Sequence, residues 1–171
     1  MENVKKDIVF RDAKIEDCDM LHRLIKESVE STNITIQQLK DDGFGSCPRF
    51  GAIIIECDQQ MIGFSIYTWK YSTWKGRILW IDYMYIQENY RNIESYHGLM
   101  RSLATKAAET DMDRIQWDGE PPDSMVKDFY QSIGVIDLTN DEQWLVYQFE
   151  AEQYRKYLAK PFTRTESIKI E

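Results

Sequence analysis

Runs of apolar residues alternate with polar breaks along the first part of the chain, and their spacing predicts one strand followed by two helices. Asp7–Arg11 has the short apolar pattern of a strand. The next apolar residues recur every three or four positions, which is typical of one helical face. They are Cys18, Leu21, Leu24, Ile25 and Val29. Thr35 can cap a second helix over Ile36–Asp41, and Asp42–Gly45 has the composition of a turn.

Three longer apolar runs in the middle of the chain predict three consecutive strands. They are Phe50–Cys57, Ile62–Tyr71 and Ile78–Ile86. The second run alternates with a period of two, and short polar segments separate the runs. Short turns between consecutive strands favour antiparallel pairing, so we expect an antiparallel meander.

The second half of the chain predicts helices alternating with short strands. The expected helices are Glu94–Thr110, Ser124–Ser132 and Ala151–Ala159. The expected strands are Ile115–Trp117, Val135–Leu138 and Trp144–Phe149. This order predicts an α+β fold with a mixed, mostly antiparallel sheet of about seven strands flanked by helices. Residues 1–160 form a single predicted domain, and the polar residues 161–171 are expected to be a flexible tail.

Composition and charge limit the classes of binding partner that are expected. The formal net charge of the chain is −8, so the basic surface that nucleic-acid binding requires is not expected. An acidic balance is compatible with a cationic partner such as a polyamine, but many acidic proteins have none. No apolar run is long enough to span a bilayer, so no membrane association is expected.

The three cysteines and two histidines show no metal-ligand spacing, and no metal site is predicted. An odd number of cysteines favours reduced thiols. We therefore expect an intracellular protein, cytoplasmic with a nuclear location as the alternative.

The stretch from Ile78 to Ala108 combines a strand, a short polar turn and a long helix. The turn covers Gln87–Asn92. A helix N-terminus that follows a strand and a tight turn presents free N–H groups and the positive end of the helix dipole. This stretch therefore predicts an anion site at the turn.

Several segments in this order resemble the GNAT superfamily of acetyl-CoA-dependent N-acetyltransferases, in particular its polyamine- and thialysine-acetylating branch. The similar segments are Asp41–Gly45 with Pro48, Ile62–Phe64, Tyr71–Gly76, Asp128–Tyr130 with Gly134, and Trp144. Each segment is short, but together they cover about Ile8 to Leu158. The resemblance implies the GNAT fold, a homodimer and acetyl transfer from acetyl-CoA to a small primary amine or polyamine.

The resemblance also implies roles for particular residues. Tyr130 matches the family's tyrosine that protonates the leaving thiolate, and a phenol with a pKa near 10 suits that task. Asp82 matches an acid that positions or deprotonates the amine, and Trp74 and Tyr83 are further candidates for substrate binding. The simpler interpretations are a core aromatic for Tyr130 and a solvated carboxylate for Asp82.

The cofactor-binding residues implied by the resemblance lie at the end of the Ile78–Ile86 strand and in the turn after it. They are Ile86, Arg91, Asn92, Ile93, Ser95 and Tyr96. The family pattern for this turn is Arg/Gln-x-x-Gly-x-Gly/Ala, in which Glu94 and Tyr96 replace the two small residues. A like-charge pair about 4 Å apart costs about 4 kcal/mol at an effective dielectric near 20, and about 1 kcal/mol in bulk water. A carboxylate at Glu94 therefore opposes binding of the cofactor's diphosphate.

Two hypotheses remain open from the sequence. The first is an active N-acetyltransferase that binds acetyl-CoA by contacts outside the turn. The second is a pseudoenzyme whose scaffold binds a protein partner or forms a dimer. Its interface would include the aromatic residues of one sheet region, which are Trp69, Trp74, Trp80, Tyr83 and Tyr85. A binder of small cations or free CoA without turnover is a third possibility.

Overall fold

A computed structural model of the chain describes residues 7–119, 122–139 and 150–158. The contacts between Cα atoms divide the chain into two units, Met1–Phe129 and Tyr130–Glu171. No helix in the described residues is both long enough and apolar enough to cross a membrane.

The first unit contains five strands and most of the helices. The strands are β1 (Ile8–Asp12), β2 (Gly51–Cys57), β3 (Gln60–Ser72), β4 (Gly76–Ile86) and β5 (Arg114–Trp117). The α-helices are α1 (Cys18–Ser28), α2 (Ile36–Phe44), α3 (Ile93–Glu109) and the beginning of α4 (Ser124–Ser132). Short 3-10 helices cover Ile15–Asp17 and Glu88–Tyr90. In the second unit, the described helical segments include the end of α4 and α5 (Ala151–Leu158).

The five strands form one sheet in the order β1-β2-β3-β4-β5. Neighbours from β1 to β4 are antiparallel, and β5 runs parallel to β4. β5 is short and pairs only with residues Ile78 to Ile81 of β4. In the described part of the chain, the outer edge of β4 from Asp82 to Ile86 therefore has no strand beside it.

Apolar side chains cover both faces of the sheet. Helix α3 packs on one face, where Leu99 and Leu103 lie against Ile55 and Ile81. Helices α1 and α2 pack on the other face, around Phe64. The burial of both faces explains why the strand sequences are nearly continuous apolar runs.

A β-bulge in β4 changes which side chains point to which face. Ile66 of β3 pairs with Tyr83, but the next residue, Tyr67, pairs with Ile81. Asp82 is therefore the extra, unpaired residue of the bulge. Leu79 and Ile81 before the bulge contact the α3 core, whereas Tyr83 after it contacts the α1–α2 core. The bulge thus brings the tyrosines of β4 under the C-terminal end of α1.

The sequence-based α+β fold class, with its mixed and mostly antiparallel sheet, is confirmed. The predicted turn at Asp42–Gly45 is wrong, because α2 continues to Phe44. Thr35 and Gln38 form a capping box that stabilises the start of α2. The ring of Phe50 occupies the position that a Cβ on Gly43 would take, so glycine here permits close packing and is not a helix breaker.

The predicted strand Val135–Leu138 is also wrong. Gly134 has a positive φ of 78°, and Leu138 and Thr139 are helical. The Asp137 side chain accepts a hydrogen bond from the Thr139 amide, which favours a local turn over an extended strand. The described sheet therefore has five strands instead of about seven. The expected strand Trp144–Phe149 and the expected tail 161–171 lie outside the described residues, and the single-domain boundary at residue 160 stays a prediction.

Candidate functional site

A cavity of about 170 Å³ lies at the open edge of β4. Four consecutive β4 residues line it, so side chains from both faces of the sheet meet there. The lining residues are Ser28, Tyr83, Met84, Tyr85, Ile86, Arg91 and Tyr96. Pockets for drug-sized ligands usually measure about 300–1,000 Å³, so this cavity suits a much smaller group.

Two tyrosines connect β4 to the last turn of α1. The Tyr83 hydroxyl donates a 2.9 Å hydrogen bond to the Ser28 carbonyl. The Tyr85 hydroxyl donates a 2.8 Å hydrogen bond to Oε1 of Glu27. Burial, together with this carboxylate, raises the pKa of Tyr85 above its usual value. Both phenols therefore donate hydrogen bonds at one wall of the cavity.

Arg91 closes the turn that follows β4. Its Nε donates a 2.7 Å hydrogen bond to the Ile86 carbonyl. Its guanidinium carbon lies 5.7 Å from the centroid of the Tyr85 ring. The side chain thus folds back on the end of β4 and supplies a cation at the cavity.

The side chains of Asn92 and Ser95 cap α3 from within the turn. Oδ1 of Asn92 accepts hydrogen bonds from the Ser95 amide at 2.9 Å and from the Ser95 hydroxyl at 3.1 Å. The one proton of this hydroxyl is shared between Asn92 Oδ1 and the Tyr90 carbonyl, which lies 2.8 Å away. Ser95 is only 1% exposed, so this polar cluster fills the inside of the turn.

Tyr96 belongs to both α3 and the cavity wall. Its ring lies 6.3 Å from the ring of Phe129, between centroids. Burial raises the pKa of Tyr96, while the positive charge of Arg91 acts in the opposite direction. The bulky ring therefore takes part in packing at a position where the GNAT pattern has a small residue.

These contacts determine which parts of acetyl-CoA the site can accommodate. The Ser95 amide is already bonded to Asn92, and the Tyr96 amide bonds the Asn92 carbonyl. Glu94 lies exposed in the first turn of α3, where its carboxylate stabilises the helix dipole. Two amides at the start of α3 are therefore already bonded, and the Glu94 carboxylate opposes a diphosphate there. The open edge of β4 does fit an extended chain bearing amides, such as the pantetheine arm, because such a chain can pair with a sheet edge.

The structure brings together only part of the predicted site. Tyr83, Ile86, Arg91 and Tyr96 line one cavity. Asn92, Ile93 and Ser95 form the N-terminus of α3 directly after Arg91. Asp82 is exposed on the bulge, one residue before the first β4 residue that lines the cavity.

Two other predicted residues lie elsewhere in the chain. Trp74 is 75% exposed in the turn between β3 and β4. This turn is at the end of β4 opposite Ile86, roughly 30 Å away at about 3.3 Å per residue. Tyr130 lies on α4, as the first residue of the second unit.

Sequence reasoning missed Ser28, Met84 and Tyr85 as cavity residues, and Glu27 beside them. Glu27 and Ser28 end an amphipathic helix, and nothing in that local pattern distinguishes them from other exposed positions. The alternation of β4 could have identified Tyr85 only if the bulge at Asp82 had been known.

Comparison with curated proteins finds relatives that match nearly the whole chain. The thialysine N-epsilon-acetyltransferase of Bos taurus is 28% identical over 176 residues, covering 90% of this chain and 98% of that protein. The spermidine/spermine N(1)-acetyltransferase-like protein 1 of Homo sapiens is 26% identical over 157 residues, covering 84% of this chain and 23% of that protein. No protein-family model matches the chain.

Solved structures share the fold at low sequence identity. An aminoglycoside N-acetyltransferase in complex with CoA has a TM-score of 0.68 and 11% identity, over 88% of this chain and 99% of that chain. A predicted acetyltransferase with acetyl-CoA from Clostridium acetobutylicum has a TM-score of 0.61 and 19% identity, over 83% of this chain and 96% of that chain. The chain therefore has the GNAT acetyltransferase fold and resembles the thialysine N-epsilon-acetyltransferases over nearly its whole length.

Proposed function

We propose that this protein is an N-acetyltransferase that transfers an acetyl group from a pantetheine thioester, such as acetyl-CoA, to a small primary amine. The observation that carries the proposal is the open edge of β4 beside a small cavity. An extended thioester paired with this edge would place its acyl end near the bulge at Asp82. Similarity to thialysine N-epsilon-acetyltransferases over 90% of the chain supports the same chemistry.

Two carboxylates near the cavity favour an amine as the acceptor, although the cation of Arg91 lines the cavity itself. Asp82 is exposed on the bulge, and Glu27 lies beside the cavity through its bond to Tyr85. Carboxylates attract a protonated amine and can hold the water through which it loses its proton. Thialysine and spermidine, which appear in the names of the relatives, are therefore the first substrates to test.

We assign the acid and base roles to Tyr130 and Asp82. Asp82 would accept the amine proton through a water, after which the amine nitrogen can attack the thioester carbonyl. A bound thioester supplies the activated carbonyl and a thiolate leaving group. Tyr130 would donate a proton to that sulfur, which a phenol is suited to do near neutral pH. Tyr83 remains a predicted contact of the substrate through its ring, whereas Trp74, at the far end of β4, is not carried forward as one.

The pseudoenzyme hypothesis is not carried forward. The substitutions in the turn that favour this hypothesis oppose a diphosphate without obstructing the edge of β4. The relatives named above are thialysine N-epsilon-acetyltransferases and an acetyltransferase-like protein, and their names give the pseudoenzyme hypothesis no support. The homodimer and the cytoplasmic location stay predictions from the resemblance and the composition.

An acetylation assay with acetyl-CoA tests the proposal. Product formation from thialysine and spermidine would be followed by mass spectrometry, and free thiol by a colorimetric reagent. We expect Tyr130→Phe and Asp82→Asn each to lower kcat/KM by about a hundredfold, the low end of general acid–base effects.

Two matched variants control for nonspecific effects of the substitutions. Tyr71→Phe changes a 75% exposed tyrosine of β3, and Asp58→Asn changes an exposed aspartate in the turn between β2 and β3. Both should retain the activity of the unaltered protein. The proposal fails if the unaltered protein acetylates neither amine, or if the Tyr130 and Asp82 variants are as active as these controls.

A further inference from the structure

We propose that this protein recognises its thioester donor through the pantetheine arm and gains no affinity from the nucleotide diphosphate. Thioesters of pantetheine that lack the nucleotide would then serve as donors as well as acetyl-CoA does. This inference rests on the proposed function, because it specifies which part of the donor that same site binds.

Side chains within the turn after β4 already form hydrogen bonds with groups at the start of α3. Asn92 Oδ1 accepts both the Ser95 amide and the Ser95 hydroxyl, and that hydroxyl also lies within hydrogen-bond distance of the Tyr90 carbonyl. Ser95 is buried, so this cluster occupies the space inside the turn. A phosphate oxygen would have to displace the Asn92 side chain to reach the Ser95 amide.

The charges at the turn do not favour a diphosphate either. Glu88 and Glu94 are both exposed within three residues of Arg91. The Nε of Arg91 is already engaged by the Ile86 carbonyl. A diphosphate bound there would therefore be attracted by one cation, Arg91, whose Nε is already hydrogen-bonded. It would be repelled by the two carboxylates.

The position for the pantetheine arm remains available. No strand in the described residues pairs with the outer edge of β4 beyond Ile81. The arm carries two amides, and backbone groups at a sheet edge bind extended amides independently of charge. The donor's affinity would thus come from the part of the molecule that all pantetheine thioesters share.

The reaction balances with a donor that lacks the nucleotide. With acetyl-pantetheine, a bond forms between the amine nitrogen and the acetyl carbonyl carbon, and the carbon–sulfur bond breaks. The amine loses one proton and the sulfur gains one. The products are the N-acetylated amine and pantetheine.

Calorimetric titration of the full chain with CoA and with pantetheine tests the inference directly. We expect the two dissociation constants to agree within about threefold, and the Kd of CoA to change little between low and moderate salt. In parallel, kcat/KM for acetyl-CoA and acetyl-pantetheine should agree within about threefold. A preference for CoA of thirtyfold or more, in affinity or in kcat/KM, would overturn the inference.

A double variant, Asn92→Gly with Glu94→Gln, tests whether these two side chains are the reason that the diphosphate adds no affinity. It frees the Ser95 amide and removes one carboxylate, while glycine is well tolerated at an N-cap position. We expect CoA to bind at least tenfold more tightly to this variant, with pantetheine affinity unchanged. Glu16→Gln, at an exposed carboxylate in the 3-10 helix before α1, is the control and should change neither affinity.

The binding data separate this inference from the proposed function. If neither thioester is consumed, the proposed function fails, but equal affinities for CoA and pantetheine still support the inference. If neither compound binds at millimolar concentration, the inference fails as well. An unchanged CoA affinity in the double variant contradicts the role assigned to Asn92 and Glu94.

Discussion

The ring of Phe10 on β1 lies where a Cβ atom on Gly98 of α3 would be. A Cβ built at Gly98 comes within 2.3 Å of two Phe10 ring atoms. Phe10 also packs against the core between the sheet and α3. The absence of a side chain at Gly98 therefore sets how closely α3 approaches the first strand.

Gly98→Ala should destabilise the protein for this reason. Alanine favours a helix over glycine by up to about 1 kcal/mol, but overpacking a core typically costs about 1–3 kcal/mol. We expect a net loss of roughly 1–2 kcal/mol in the free energy of unfolding, measured by urea denaturation. Gly119→Ala is the control, because a Cβ there meets no atom of the described residues within 4 Å, and it should be neutral or slightly stabilising.

A second substitution can confirm the contact. Phe10→Leu removes the ring atoms nearest Gly98, so the double variant should be more stable than the two single changes predict when added together. Simple additivity would show that the cost of Gly98→Ala arises elsewhere.

Asp17 should make folding stability depend on pH in the acidic range. Arg11 donates hydrogen bonds of 2.7 and 2.9 Å to its two carboxylate oxygens. These bonds lower the pKa of Asp17 from its usual value of 3.8, although burial opposes the shift. A lowered pKa in the folded state means that the stabilisation is complete above about pH 4 and is lost as the pH falls further.

Replacing Asp17 by asparagine should remove this part of the pH dependence. Asparagine can still accept the Lys14 amide, which Asp17 bonds at 2.7 Å. We expect the free energy of unfolding of Asp17→Asn to fall less steeply below about pH 4 than that of the unaltered protein. Arg11→Gln should flatten the same region, because it removes the cause of the pKa shift. Parallel profiles for all three proteins would contradict this role of Arg11.

Tyr83→Phe separates a structural role of the phenol from a substrate-binding one. The hydroxyl already donates to the Ser28 carbonyl, and its removal leaves the ring as part of the cavity wall. We expect a loss of about 0.5–1.5 kcal/mol in stability. The KM for the amine should change less than threefold, measured in the acetylation assay beside Tyr71→Phe. A tenfold or larger rise in KM without loss of stability would instead show that the hydroxyl binds substrate.

Much of the fold could be predicted from local pattern. The periodicity of Leu99, Leu103 and Ala107 placed one face of α3 on the sheet, and these residues are buried there. The three apolar runs in the middle of the chain became β2, β3 and β4 in antiparallel order. The turn predicted at Gly43 and the strand predicted before Thr139 are both wrong. Phe50 packs against Gly43, and the Asp137 side chain accepts a hydrogen bond from the Thr139 amide. Individual contacts of this kind are not visible in the pattern of apolar positions.

The candidate site was harder to predict because it depends on register. Arg91 and Tyr96 were identifiable from the pattern of the turn, but the polar cluster of Asn92 and Ser95 was not. Tyr85 and Ser28 became neighbours only because the bulge at Asp82 turns the following tyrosines towards α1.

The amino-acid sequence alone determined the fold class, the position of the strand, turn and helix, and the unusual residues in that turn. These features depend on the spacing of apolar residues and on residue type, and both can be read directly from the sequence. The tertiary structure decided that β5 pairs with β4 only as far as Ile81, that no other described strand pairs with β4 beyond it, and that Asn92 occupies the turn. Strand register and side-chain hydrogen bonds depend on groups far apart in the chain or on backbone geometry, and neither can be read from spacing.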